Sequence, residues 1–211
     1  MNLARLAAQR AEAGNPVRAG LIGAGKFGSM FLGQVPSIPG LEVTAIADID
    51  PKRARDACNR VGWSEERTAA VVIEENGNAL AERNDVDVVI EATGNPRAGI
   101  AHALTAIEYG KHLVMVNVEA DVLAGPALAK RAASAGVVYS MAYGDQPALV
   151  AEMVDWARAA GFGVMAAGKG TKYLPVYHTI TPDEIWEHYG ITATEARAAG
   201  MNPQMFNSFL D

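Results

Sequence analysis

Short apolar runs recur along the chain, separated by stretches of helical period. Residues 17–22, 41–47, 86–90 and 112–116 are nearly continuous in apolar and β-branched side chains, as strands buried on both faces are. Shorter runs at 68–73, 137–141 and 162–167 predict three further strands. Between them, residues 51–61, 74–83, 97–109, 122–135 and 144–160 have helical composition, and Gly62, Gly110 and Gly136 stand where three of these helices end. Pro51 opens one helix at its favoured first-turn position, and Asp121 is expected to cap another. Strand and helix alternate from residue 16 to about 167, which predicts an α/β, Rossmann-type doubly wound parallel sheet. A short leading helix is expected before it, because Leu3, Leu6, Ala7 and Arg10 fall at helical spacing with no apolar leader core.

The first run empties into Gly23-Ala24-Gly25-Lys26-Phe27-Gly28. Gly23 permits a tight turn, Gly25 lets a pyrophosphate approach bare backbone, and Gly28 lets the following helix pack closely on the strand. An anion there meets the free N–H groups and positive end of that helix. Lys26 and Phe27 complete the loop. The second run ends in Asp48, about 20 residues beyond the last glycine, where a dinucleotide site places an acid for the adenosine ribose hydroxyls. Arg53 follows within one helical turn as a basic group for a 2′-phosphate, so the residues leave NAD and NADP both open. Thr93, Gly94 and Asn95 follow the third long run and are expected beside the glycine turn. Glu91 just before them points either into the crevice or to structural hydrogen bonds. Asn117 and Glu119, after the fourth run, are expected at the nicotinamide end.

Composition narrows the partners. With a formal charge of -6 and pI near 5.3, the chain lacks the clustered cationic field that nucleic-acid binding needs. No apolar stretch approaches the roughly 20 residues of a membrane span. The single cysteine, Cys58, forms no internal disulfide and suits a reducing cytoplasm, which is the expected location. The expected partners are a small phosphorylated or polar carbonyl substrate and a second copy of the chain in a homo-oligomer, with no nucleic acid and no membrane.

After Gly168 the texture changes to a basic glycine loop through Pro175. Thr181 with Glu184 then signals a capped helix, and Thr192 starts another. The expected organisation is a dinucleotide-binding domain over residues 1–167 and the start of a substrate domain, lacking most of its body, over 168–211. Lys169 and Lys172 are the candidate catalytic residues, as donors that polarise a carbonyl oxygen or meet a phosphate. His178 and His188 are weaker candidates, and His102 and His112 read as structural.

Taken together, Gly23 to Gly28, Glu91-Ala92-Thr93-Gly94, Gly110-Lys111-His112 and Val116 to Glu119 resemble the homoserine dehydrogenase-like group of NAD(P)-dependent oxidoreductases. Within it, Leu21 to Met30 and Gly168 to Pro175 are most similar to the bacterial 1-deoxy-D-xylulose 5-phosphate reductoisomerase-like enzymes. That resemblance implies NADPH-dependent isomerisation and reduction to 2-C-methyl-D-erythritol 4-phosphate in isoprenoid precursor synthesis, aided by Mg or Mn, with no metal ligand assigned. Two departures stand out. Homoserine dehydrogenases carry a lysine directly after the asparagine corresponding to Asn117, where this chain has Val118, and the Glu-Lys-Pro of the sugar dehydrogenases is absent. Homoserine- or sugar-type dehydrogenase chemistry and a non-catalytic dinucleotide-binding module are the alternatives.

Overall fold

The computed structural model describes residues 2–143, 146–168, 175, 179–181, 184–188, 190 and 192–198. The chain divides into two compact units, Met1–Leu149 and Val150–Asp211.

The first unit is a six-stranded, all-parallel sheet of order β3-β2-β1-β4-β5-β6. Its strands are β1 (Val17–Ile22), β2 (Leu41–Ala47), β3 (Val72–Glu74), β4 (Val88–Glu91), β5 (His112–Met115) and β6 (Tyr139–Met141). The leading helix forms as expected, as α1 (Leu3–Glu12), capped by the Asn2 side chain. The crossover helices are α2 (Lys26–Gln34), α3 (Pro51–Arg60), α4 (Glu65–Ala70), α5 (Gly77–Glu82), α6 (Pro96–Glu108) and α7 (Val118–Ala135).

Each face of the sheet has its own core. Leu32, Val35, Ala54, Cys58 and Trp63 pack on one face against Leu21, Val43 and Ile46. Leu80, Ala103, Ile107, Leu113 and Leu128 pack on the other against Ile22, Ala45 and Ala47. The register of β2 against β1 slips between Ala19 and Gly20, leaving Thr44 as an extra residue. One extra residue reverses the in-out alternation of a strand. Val43 and Ile46 therefore share a face, and Ala45 and Ala47 take the other. The Thr44 hydroxyl donates to the Asp85 carbonyl oxygen at 2.8 Å.

Three expectations need correction. Residues 68–70 are helical rather than extended, because Ser64 caps α4 and Glu65 and Glu66 fill its first turn, so β3 starts only at Val72 and α5 only at Gly77. Residues 162–167 form no strand. Asp121 does not cap α7: the helix starts four residues earlier than expected, with Asn117 as its cap. Asp121 instead accepts a 2.6 Å hydrogen bond from the Tyr139 hydroxyl; burial first, and this bond second, push that phenol far above its ordinary pKa.

α8 (Gln146–Ala159) runs from the first unit into the second. In the second unit Trp156 and Phe162 lie with ring centroids 6.5 Å apart. The two capped starts read from sequence are present. Glu184 accepts from the Thr181 amide and hydroxyl before α9 (Ile185–His188). Glu195 does the same for Thr192 at α10 (Ala193–Ala198), and the Thr192 hydroxyl accepts from the Glu195 amide.

Candidate functional site

In the observed strand order the direction of winding reverses between β1 and β4. Open α/β sheets bind ligands in the crevice outside the carboxyl ends of such strands. A cleft of about 700 Å³ lies there, lined by residues including Gly23, Gly25, Asp48, Ile49, Arg53, Asn76, Thr93, Asn95 and His102.

The three glycines have separable tasks. Gly23 has φ +101°, and a Cβ on it would lie 2.7 Å from the Ala92 carbonyl oxygen, so the β1 turn fits against the β4 turn only without a side chain. A Cβ on Gly28 would lie 2.2 Å from the Gly23 carbonyl oxygen, which fixes how closely α2 approaches the turn. Gly25 is different: a Cβ there meets nothing within 4 Å, and the space it would enter belongs to the cleft. Gly25 is also the N-cap of α2 and supplies no side-chain hydrogen bond. By contrast α1, α3, α4, α5, α6 and α7 are each capped by a side chain, from Asn2, Asp50, Ser64, Asn76, Asn95 and Asn117. The first N–H groups of α2 are thus left for an anion, and the residues present fit a dinucleotide pyrophosphate. Lys26 and Phe27 are exposed in this first turn but do not line the cleft.

Asp48 is held on every side. Its side chain is 2% exposed. Oδ2 accepts from the Ala24 amide at 2.9 Å. Oδ1 accepts from the Asp50 amide at 2.9 Å and from Nε and Nη2 of Arg53, with Nε at 3.0 Å. Burial alone would raise this carboxyl; the Arg53 guanidinium and the two backbone N–H groups outweigh burial and hold it below the usual carboxylate range. Asp85 and Asp87 are also held low, through their bonds to Arg83 and Arg18 respectively.

All three carboxyls have folded-state pKa values below those of the unfolded chain. Their contribution to stability is therefore complete above the ordinary carboxylate range and is lost as pH falls through the depressed folded values. Urea midpoints measured across pH are expected to fall below about pH 4, and Asp48→Asn is expected to make that fall shallower. An unchanged slope in the variant would show that the Asp48 contacts add nothing.

At the other wall, Glu91 at the end of β4 is fully buried. Oε1 accepts from the Thr93 hydroxyl at 2.6 Å, and Nδ1 of His102 lies 3.2 Å away. Oε2 is buried without a hydrogen-bond partner among the described residues. Of the two directions left open for Glu91, the structural one is observed. Asn117 is likewise hydrogen-bonded within the protein. Its Oδ1 caps α7 at the Ala120 amide, and its Nδ2 donates to the Asn95 carbonyl oxygen at 2.9 Å. Glu119 is exposed in the first turn of α7 and, like Gly94, does not line the cleft. Lys169, Lys172 and His178 lie outside the described residues. Sequence reasoning missed Ile49, Asn76 and His102 as cleft residues; the misplaced third strand hid Asn76, whose polar side chain follows a strand end as Asp48 does.

Residues 17–143 match the GFO/IDH/MocA family, described as an oxidoreductase family with an NAD-binding Rossmann fold. The chain belongs to this family. Residues 144–211 match a second description, the catalytic domain of oxidoreductase DRL. The chain is 36% identical over 110 residues to the inositol 2-dehydrogenase of Acidothermus cellulolyticus, covering 52% of this chain and 30% of that protein. It is 35% identical over 101 residues to glycosyl hydrolase family 109 protein 4 of Phocaeicola vulgatus, covering 47% and 19%. The matches thus span less than a third of either relative's length. A solved 3-ketoreductase from Actinomadura kijaniata, in complex with NADP and TDP-benzene, is similar with a TM-score of 0.52 and 26% identity, over 68% of this chain and 43% of that one. None of these matched proteins is described as a reductoisomerase, so the finer part of the expected resemblance has no support from them. Among the described residues no helix is long and apolar enough to cross a membrane, and no group of three or more His, Cys, Asp or Glu is placed to hold a metal ion.

Proposed function

We propose that this GFO/IDH/MocA chain binds NAD(P) in the β1/β4 cleft and serves an oxidoreductase acting on a small polyhydroxylated, sugar-type substrate. The observation that carries the reading is the open space at Gly25, beneath an α2 end that no side chain caps. When bound, the nicotinamide supplies or accepts a hydride at a carbonyl or hydroxyl carbon. The chain's own task is placement. Gly23 and Gly28 fix the turn, the α2 N–H groups face the pyrophosphate, and Ile49, 83% exposed, offers an apolar surface for the adenine. Lys169 and Lys172 are proposed as the donors that polarise the substrate oxygen. The substrate class is supported by the names of the relatives, an inositol dehydrogenase and a 3-ketoreductase.

The second reading is the reductoisomerase-like conversion of 1-deoxy-D-xylulose 5-phosphate. It rests on the likeness of the basic loop from Gly168 to Pro175.

Titration with NADH and NADPH, followed by nicotinamide fluorescence, is expected to show saturable binding. Absence of binding by either nucleotide would remove the cofactor reading. NADPH oxidation on 1-deoxy-D-xylulose 5-phosphate with Mg²⁺ or Mn²⁺, against NAD(P)⁺ reduction on a panel of polyols, separates the two substrates. Oxidation on the phosphate alone selects the second reading.

A further inference from the structure

In a site that selects NAD, the acid after β2 works in two ways: its oxygens accept from both ribose hydroxyls, and its charge repels a 2′-phosphate. Asp48 is at that position and is arranged for neither task. Oδ1 already takes three donors, from the Asp50 amide and from two nitrogens of Arg53. Oδ2 takes the Ala24 amide from inside the glycine turn. With 2% of the side chain exposed, a ribose has little of the carboxylate to reach. Its charge is also offset, because the guanidinium of Arg53 lies directly on it.

Arg53 is placed the opposite way. It stands in the first turn of α3, its side chain is 48% exposed, and among the described residues lining the cleft it is the one permanent cation. Two of its nitrogens hold Asp48, and its Nη1 makes no hydrogen bond among the described residues. The other charged or titratable groups lining the cleft are Glu75 and His102, and Asp50 is turned to cap α3 at the Lys52 amide. A guanidinium fixed at one edge by a buried carboxylate presents its remaining N–H groups in a set direction, which suits a phosphate.

On the reading that this cleft holds a dinucleotide, we propose that Asp48 is a positioning residue rather than a ribose ligand, and that Arg53, held by it, is the ligand of a 2′-phosphate. The chain then selects NADP(H) while carrying the acid that marks an NAD site. Asp48 also ties this end of the cleft to the glycine turn through the Ala24 amide, so one carboxylate orients both the phosphate ligand and the pyrophosphate loop.

The test is the affinity of the purified chain for NADPH and NADH, with adenosine 2′,5′-bisphosphate and 5′-AMP as competitors. The wild type is expected to bind NADPH at least about tenfold more tightly than NADH, and the bisphosphate more tightly than 5′-AMP, as a charge-assisted phosphate contact provides. Arg53→Ala, on a half-exposed side chain, is expected to lose that preference, and Arg53→Lys to recover part of it. Asp48→Asn gives the sharpest sign. Removing a repelling acid strengthens NADPH binding, whereas removing the anchor of Arg53 weakens it by about tenfold. A gain of NADPH affinity in Asp48→Asn, or equal or tighter NADH binding by the wild type, overturns the proposal. Those results leave nucleotide binding intact and so differ from failure of the cofactor reading, in which neither nucleotide binds and both proposals fall. The wild-type ratio and Arg53→Ala decide the matter even if Asp48→Asn does not fold.

Discussion

Gly25→Val is expected to lose at most about 1 kcal/mol of unfolding free energy and to bind NADPH at least about a hundredfold more weakly, equivalent to roughly 2.7 kcal/mol. The backbone at Gly25, φ -74° and ψ -155°, is open to any residue, and a Cβ there meets nothing within 4 Å. The change from glycine at an N-cap costs the fold at most about 1 kcal/mol. The added methyls enter the space under the α2 N–H groups, where the pyrophosphate is proposed to sit. Gly28→Ala is the contrasting variant. Its Cβ lies 2.2 Å from the Gly23 carbonyl oxygen, which is backbone and has no rotamer to escape into. It is expected to lose about 2–3 kcal/mol of stability along with binding. Wild-type NADPH affinity in Gly25→Val would mean that no ligand uses this turn.

Glu91→Ala is expected to lower unfolding free energy by about 3 kcal/mol. Glu91 is fully buried and accepts from the Thr93 hydroxyl, which in turn accepts from the Asn95 amide and from Nδ2 of Asn117. Truncation leaves a cavity, an unmet hydroxyl and a His102 nitrogen facing nothing. The same loss loosens the turn that carries Thr93 and Asn95, so NADPH affinity falls too. Glu91→Gln keeps an acceptor for Thr93 and is expected to cost less, about 1 kcal/mol. Denaturant titration of the two variants decides this, and a Glu91→Ala chain within 0.5 kcal/mol of wild type would show the network to be idle.

What the sequence revealed and what it hid divide along physical lines. β1, β2, β4 and β5 were legible because strands buried on both faces are apolar without interruption, and the glycine turn was legible because its steric demands are local. The third strand was misplaced because Thr68, Ala69 and Ala70 were read for β propensity, while the Ser64 cap with Glu65 and Glu66 already favoured a helical turn there. Asp121 and Asn117 could not be separated as the α7 cap by residue type, since both cap well. Asn117 prevails because its amide also reaches the Asn95 carbonyl oxygen, a contact between segments 22 residues apart. The engagement of Asp48 by Arg53 was hidden for a similar reason. Spacing places the acid and the arginine together but does not say which groups they face.

The strand at the switch point has one more consequence, in time rather than in space. β1 pairs with β2, which begins at Leu41, and with β4, which begins at Val88. The Arg18–Asp87 pair closes a separation of 69 residues. At about 5–20 residues per second, a ribosome takes on the order of 4–14 s to deliver the second neighbour after the first residues of β1. Until then one edge of β1 is bare, an unpaired apolar strand of the kind that aggregates. The wall that Thr93 and Asn95 provide does not yet exist, so NAD(P) has no complete cleft to stabilise. Cofactor thus protects the finished domain but not the nascent one, and the vulnerable interval during synthesis is set by the length of the β2–β3 excursion alone.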